Sequence, residues 1–174
     1  AALSGSSVPL RKIAWPPEID IAELANNGVE DTMRMLHVGL ISHGAQAAAP
    51  LQADASFHRD GNYWLAPASL ADGFHVFAAL WDRDDTVSFF IDGRLIDKAA
   101  YKWVYDDGTE AGYADVIFDL AIGGPKWAGR HGIDASAFPQ GLEIDYLRVY
   151  QKSDARLTGR DAIGKDLCPA GGGC

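Results

Sequence analysis

Short apolar runs separated by turn-forming residues dominate the chain, and helical periodicity is weak throughout. The runs are rich in Val, Ile, Phe, Tyr and Trp, and Gly, Asp, Asn and Pro interrupt them, which is the pattern of β-strands. Because no helical segments lie between the runs, we expect an all-β protein built as an antiparallel sandwich. The predicted strands cover residues 18–24, 34–42, 63–65, 74–81, 86–91, 94–96, 116–122 and 142–150.

The connections between these strands indicate where the chain turns and where it can bind a ligand. Asp92-Gly93 predicts a tight reversal, since this pair tolerates positive φ at hairpin turns. Longer loops gather at the rims of a sandwich, where binding sites form. We predict one sandwich domain over residues 1–152. Residues 153–174, with much Gly and few aromatics, are predicted to be a polar tail or linker.

Charge and composition exclude several classes of function. The 174 residues carry 15 Lys and Arg against 24 Asp and Glu, a net charge of −9. This acidic balance argues against nucleic acid as a partner, because phosphate binding needs a basic footprint. No apolar window is long enough for a membrane span. The two cysteines, Cys168 and Cys174, are too few for a disulfide framework.

Three carboxylates fall within six residues of the first predicted strand. In a regular strand Glu18 and Asp20 share one face, and Glu23 lies on the other, because side chains alternate. One extra bulged residue, Ala22 or Ile21, would bring Glu23 onto the face of the other two. The alternative is an edge strand whose charges point to solvent.

A cluster of this kind suits acid–base chemistry. Like charges raise the pKa of at least one carboxyl group, which separates a protonated acid from an ionised nucleophile near neutral pH. Retaining glycosidases need two such groups about 5–5.5 Å apart. The carboxylate spacing alone leaves both the catalytic reading and the edge-strand reading open.

Four ordered motifs extend this picture, and together they resemble glycoside hydrolase family 16, the laminarinase-like endoglycanases. The resemblance covers roughly residues 13–152. It implies a concanavalin A-like jelly roll with an open cleft on its concave sheet. The motifs are WPPEIDIAE (15–23), FHVFAALW with FIDG (74–81 and 90–93), LAIGGPKWAG (120–129) and LEIDYLRVYQ (142–151).

The resemblance also implies roles for the three carboxylates. Glu18 would be the nucleophile, Glu23 the general acid/base and Asp20 the assisting carboxylate. The five-residue step from Glu18 to Glu23 resembles the β-bulge subgroup of the family, which includes laminarinases, agarases and carrageenases. We therefore expect a retaining endo-hydrolase of β-1,3- or β-1,3/1,4-glucan. The alternatives are a non-catalytic β-glucan-binding module and a related galactan hydrolase.

Three further residues are candidates for substrate binding, and each has a structural alternative. Trp15 and Trp127 would stack on sugar rings, or else pack in the core. His37 would hydrogen-bond the substrate or the acid/base residue, or else serve a structural role. The resemblance implies no required cofactor, but many members carry a structural calcium ion, to which Asp145 would contribute.

The resemblance finally bears on location and completeness. It implies a secreted or extracytoplasmic protein whose partner is a polysaccharide. Family members have several strands before the catalytic segment, whereas 17 residues precede Glu18 here. We therefore expect a fragment of a sandwich that lacks its amino-terminal strands, which an absent segment or a second chain would supply. The alternatives are a compact variant and a circularly permuted chain.

Overall fold

The fold is all-β, as the sequence predicts. The computed structural model describes residues 16–26, 32–41, 48–124 and 128–150, and two short 3-10 helices, Thr32–Arg34 and Ala135–Ala137, accompany the strands in these ranges. The eight strands of the described ranges are β1 (Glu18–Glu23), β2 (Met35–Ile41), β3 (Ala49–Ala53), β4 (Phe57–His58), β5 (Tyr63–Leu65), β6 (Phe77–Asp82), β7 (Thr86–Ile91) and β8 (Arg94–Ala100).

The strands form two antiparallel four-stranded sheets. The first sheet has the order β1-β2-β5-β4, and the second has the order β3-β8-β7-β6. Every strand pair is antiparallel. The two sheets bury their inner faces in a common core, which is the predicted sandwich and is consistent with a jelly roll. Its largest fully buried side chains are Phe89, Leu36, Ile96 and Val87.

Alternation along the first sheet fixes which face is buried. Leu36, Trp64 and Phe57 are cross-strand partners on β2, β5 and β4, and all three are buried in the core. Their chain neighbours therefore lie on the outer face of the same sheet, because strand side chains alternate. We call this outer face of β1, β2, β5 and β4 the open face.

The predicted reversal between β7 and β8 is confirmed. Asp92 and Gly93 both have positive φ, 49° and 79°, as a type I′ hairpin turn requires. The Asp92 carboxylate also accepts the N–H of Val76 at 2.8 Å, which ties the approach to β6 to this turn.

Two predicted strands, residues 116–122 and 142–150, are wrong. Neither segment has a strand partner in the described ranges, and their apolar side chains are exposed, with Ile117 82% and Val149 79% accessible. A strand exists only as part of a hydrogen-bonded ladder, so an alternating pattern without a neighbour does not become one. The chain divides after Phe138, and the second unit begins at Pro139; its described part, residues 139–150, contains no regular element.

Two strands were missed. β3 and β4 both lie in the segment between the predicted strands 34–42 and 63–65, where no strand was expected. The β3 sequence APLQA lacks alternation and contains Pro50. Proline is tolerated there because β3 is an edge strand with a register shift beside that residue, which is where sheets accept proline. The predicted domain boundary at residue 152 and the tail 153–174 lie outside the described residues.

Candidate active site

The bulge predicted in β1 is present. Asp20 pairs with Gly39 and Glu23 pairs with His37, so three steps along β1 match two steps along β2. The extra residue lies at Ile21–Ala22, as the sequence predicts. A β-bulge of this kind changes the phase of all side chains that follow it. Glu23 therefore returns to the face of Asp20, whereas an unbroken strand would place it on the core side.

The three carboxylates form one electrostatic cluster on the open face. The carboxyl groups of Asp20 and Glu18 are hydrogen-bonded to each other, and the charge of Glu23 also acts on Asp20. Asp20 is half-buried, whereas Glu18 and Glu23 are exposed. The structure thus brings together the three residues to which the resemblance assigns catalytic roles.

Burial and mutual repulsion raise two of the carboxyl pKa values. Desolvation, the hydrogen bond to Glu18 and the charges of Glu23 and Glu18 together raise the pKa of Asp20 to about 7. Partial desolvation of Glu23, followed by the charge of Glu18, raises the pKa of Glu23. Both shifts favour a carboxyl group that holds its proton closer to neutral pH, as a general acid must.

Tyr101 anchors the start of β1, which carries the three carboxylates, and sequence reasoning missed it. Its side chain is 2% exposed and follows directly after β8 of the second sheet. The hydroxyl accepts the N–H of Glu18 at 3.0 Å and donates toward the carbonyl oxygens of Ile41 at 2.7 Å and Glu18 at 3.1 Å. Because 83 residues separate Tyr101 from Glu18, no local pattern signals this contact.

Gly39 is the second residue that sequence reasoning missed. It lies opposite Asp20 on β2, and a Cβ atom added there would overlap the Asp20 carboxylate oxygen Oδ2. Glycine lets a backbone approach a neighbouring group closely. Here it leaves room for the Asp20 side chain over β2. A glycine inside a strand pattern was the available sequence signal.

His37 lies beside the acid/base candidate. It is the register partner of Glu23, and its Nδ1 is 3.1 Å from the carbonyl oxygen of Gly61. A carbonyl can only accept, so Nδ1 carries the hydrogen, and the Nε2 atom of the neutral ring is an acceptor. Desolvation lowers the pKa of His37 although the Gly61 carbonyl opposes this shift. The site therefore favours the neutral imidazole.

The structure does not test the roles predicted for the remaining site residues. Trp15 and Trp127 lie outside the described residues, so their stacking role stays a prediction. Asp145 is exposed in the second unit. No group of three or more His, Cys, Asp or Glu side chains in the described ranges could hold a metal ion, so the calcium site has no ligand set there and stays a prediction.

One negative finding concerns the membrane. In the ranges that the structure describes, no helix combines the length and apolar character needed to cross a bilayer.

Comparison with known proteins supports the motif assignment. The chain is 31% identical over 140 residues to a "Beta-glucanase" of Rhodothermus marinus, covering 72% of this chain and 45% of that protein. It is 28% identical over 91 residues to "Glucan endo-1,3-beta-glucosidase A1" of Niallia circulans, covering 48% and 13%. It is 23% identical over 138 residues to "Endo-1,3-1,4-beta-glycanase ExsH" of Rhizobium meliloti (strain 1021), covering 79% and 24%.

The family assignment rests on these three matches. No family model matches the chain, and no solved structure matches it. The chain spans less than half the length of each of the three relatives. All three bear names typical of one enzyme family, and the chain is thereby confirmed as a relative of the β-glucanases of glycoside hydrolase family 16, as its four ordered motifs predict.

Proposed function

We propose that this chain carries the catalytic centre of a retaining endo-hydrolase of β-glucan. One observation carries the proposal: the bulge at Ile21–Ala22 places Glu23 on the face that already holds Glu18 and Asp20. Glycoside hydrolysis generally requires two carboxyl groups that flank the bond to be cleaved. The printed names of the three relatives support a β-glucan substrate with β-1,3 or mixed linkage.

In the first step, Glu23 acts as acid and Glu18 as nucleophile. The Glu18 carboxylate attacks the anomeric carbon and forms the glycosyl ester, while the Glu23 carboxyl group gives its proton to the departing glycosidic oxygen. The raised pKa of Glu23 supports this role, since the group keeps its proton until the leaving oxygen needs it.

In the second step, Glu23 acts as base. Its carboxylate takes a proton from water, the water oxygen attacks the anomeric carbon, and the bond to Glu18 breaks with retention of configuration. Ester formation has already removed the charge of Glu18, which is one cause of the raised pKa of Glu23. The pKa of Glu23 therefore falls in the intermediate, which favours release of its proton in the first step.

Asp20 holds the nucleophile in place. Its pKa of about 7 keeps a large fraction of the group protonated near neutral pH, so it donates a hydrogen bond to the Glu18 carboxylate. This contact limits rotation of the Glu18 side chain, and it leaves one Glu18 oxygen for the anomeric carbon. Polymeric glucan does not pass through a lipid bilayer, so the proposal includes a secreted or extracytoplasmic site of action.

The test is reducing-end release from laminarin, lichenan, agarose and carrageenan, with the product anomer followed by NMR. We expect release from the two glucans with a retained anomer, and losses of at least about 10²–10⁴-fold in Glu18→Gln and Glu23→Gln. Glu143→Gln, at an exposed glutamate of the second unit, is the matched control. Azide should restore turnover to Glu18→Gly with inversion at the anomeric carbon.

Three results would contradict the proposal. Near-normal turnover in both site variants would remove the carboxylates from the mechanism. Calorimetric binding of laminarin without any reducing-end release would instead indicate a glucan-binding module. Release from agarose or carrageenan alone would indicate a galactan hydrolase.

A further inference from the structure

Each sheet has two edge strands, and three of these four edges are protected against pairing with a further strand. Within the described ranges the edges are β1 and β4 in the first sheet and β3 and β6 in the second. β1 carries three carboxylates and a bulge, β3 contains Pro50 beside a register shift, and β4 is two residues long. Charge, bulges, proline and short length are the usual features that keep an edge strand from pairing with another chain.

β6 has none of these features along most of its length. Its six residues, FAALWD, pair with β7 without any register shift. The strand contains no proline and no lysine, and its one charged residue, Asp82, is the last. An unbroken apolar edge of this kind can accept a further strand.

The surface along this edge is apolar, and the core is incompletely covered there. Leu80 and Trp81 are 45% and 47% exposed, and Phe74, just before the strand, is 70% exposed. Trp81 is the register partner of Val87, which is fully buried in the core. Because register partners share a face, Trp81 points to the core side of its sheet although about half of it reaches solvent. A strand added beside β6 would cover this side chain.

The sequence of β6 is complementary to itself in antiparallel orientation. A register centred on Ala79 places Phe77 opposite Trp81 of a second copy, on the same face of the sheet. Aromatic cross-strand pairs stabilise antiparallel ladders. In this register Asp82 lies opposite Val76 of the second copy, so no two carboxylates meet. β1 paired with itself would place its carboxylates close to one another, which like charges oppose.

The acidic charge of the chain permits this pairing because the antiparallel orientation separates the nearest acidic groups. Residues 82–85, at the turn into β7, contain three aspartates and Arg83. In an antiparallel pair centred on Ala79 the two turns lie at opposite ends of the ladder, about 20 Å apart. This distance exceeds the Debye length of about 8 Å at physiological ionic strength, so the repulsion between the turns is largely screened.

We propose that β6 is a dimerisation edge, at which two copies of this chain pair their β6 strands and form one continuous eight-stranded second sheet. A contact between identical strands is isologous, and its two-fold axis stands perpendicular to the sheet. Both first sheets therefore lie on the same side of the joined sheet, and both open faces point in the same direction. Under the proposed function, on which this last consequence alone rests, two sites would engage one polysaccharide surface.

The first experiment measures the mass of the full chain by sedimentation over a wide range of concentrations. We expect the mass to rise with concentration toward twice that of one chain. Leu80→Lys adds a charge to the edge and should lower the association constant at least about tenfold. Leu51→Lys, at a 57% exposed leucine of the edge strand β3, is the matched control and should associate like the unsubstituted protein.

The mass has two outcomes that contradict the proposal. A mass of one chain at every concentration would overturn the dimer, and hydrolysis by that monomer would leave the proposed function standing. Equal association constants of Leu80→Lys and Leu51→Lys would place the contact somewhere other than β6.

Amide hydrogen exchange in the unsubstituted protein identifies the strand that forms the contact without relying on a variant. Where the dimer predominates, the outward amides of β6 should exchange at least about tenfold more slowly than where the monomer predominates. The amides of β1 should exchange equally in both. A dimer with unprotected β6 amides would overturn the proposal. Protection of these amides at every concentration would also overturn it, because another segment of the same chain would then cover the edge.

Discussion

The hydroxyl group of Tyr101 bridges the N–H of Glu18 at 3.0 Å and the carbonyl oxygen of Ile41 at 2.7 Å. Glu18 and Ile41 are themselves register partners at the ends of β1 and β2. A side chain rooted beside the second sheet thus joins the ends of two strands of the first. The backbone of the proposed nucleophile is thus held by a side chain that comes from the core.

Removal of this hydroxyl should lower activity more than it alters substrate binding. Tyr101→Phe leaves the partly buried N–H of Glu18 without its acceptor, which we expect to cost about 1 kcal/mol of unfolding free energy. Small displacements of a reacting group reduce rates by up to about 10²-fold. We expect kcat on laminarin to fall about ten- to hundredfold with KM nearly unchanged.

The control separates positioning from general loss of stability. Tyr105→Phe removes a tyrosine hydroxyl from the hairpin 104–110 and should leave kcat unchanged. If Tyr101→Phe lowers the unfolding midpoint but keeps wild-type kcat at a temperature where it is fully folded, Tyr101 is structural and does not position Glu18.

The sequence predicted the sandwich and the hairpins because these depend on local patterns. Apolar runs bounded by turn residues identified β2 and β7, and Asp92-Gly93 identified the reversal between β7 and β8. β3 was not predicted because its position depends on pairing with the edge of β8, which is a property of the tertiary structure. Residues 116–122 failed for the converse reason: their pattern specifies an apolar face, but a ladder also needs a partner strand.

For the candidate site, too, the sequence predicted the features that depend on local spacing and missed those that depend on distant contacts. A five-residue step puts Glu18 and Glu23 on opposite faces of a regular strand, so the sequence predicted a bulge at Ile21 or Ala22 for the case that both residues serve one site, and it left the edge-strand alternative open. Tyr101 and Gly39 act on Glu18 and Asp20 from distant parts of the chain. Their roles depend on register and on contacts through the core, and neither can be read from neighbouring residues.

A side chain at position 39 should disable Asp20. In Gly39→Ala the new Cβ atom overlaps Oδ2 of Asp20, so the carboxyl group must leave its present position beside Glu18. Overpacking of this size costs about 1–3 kcal/mol, and we expect kcat on laminarin to fall at least about tenfold. Gly73→Ala is the matched control, because no atom lies within 4 Å of its added Cβ. Equal activities of the two variants would show that Asp20 needs no such space.

Neutralising Glu18 should lower the pKa of Glu23. The charge of Glu18 is the second cause of the raised pKa of Glu23, after partial desolvation. Glu18→Gln removes that charge and keeps the side-chain shape. The carboxyl ¹³C signal of Glu23, followed by NMR across pH, should therefore titrate at lower pH in Glu18→Gln than in the wild type. An unchanged titration would reject the proposed alternation of Glu23 between acid and base.

Asp20 should make the protein less stable as pH rises from about 4 to about 7. Its pKa is about 7 in the folded chain against an ordinary value of 3.8, so the folded state holds a proton that the unfolded state has released. The stabilising contribution is complete below the unfolded pKa and is lost as pH rises through the folded pKa. Asp20→Asn lacks this dependence. Its unfolding midpoint minus that of the wild type should therefore increase between pH 4 and pH 7.

Thermal unfolding of both proteins at several pH values measures the difference in midpoints. Asp72→Asn, at an exposed aspartate, gives the effect of removing one aspartate charge elsewhere. A constant difference between Asp20→Asn and the wild type would mean that Asp20 titrates alike in the folded and unfolded chain. The hydrogen bond from Asp20 to Glu18 would then be absent near neutral pH, and the nucleophile would lack the restraint proposed for it.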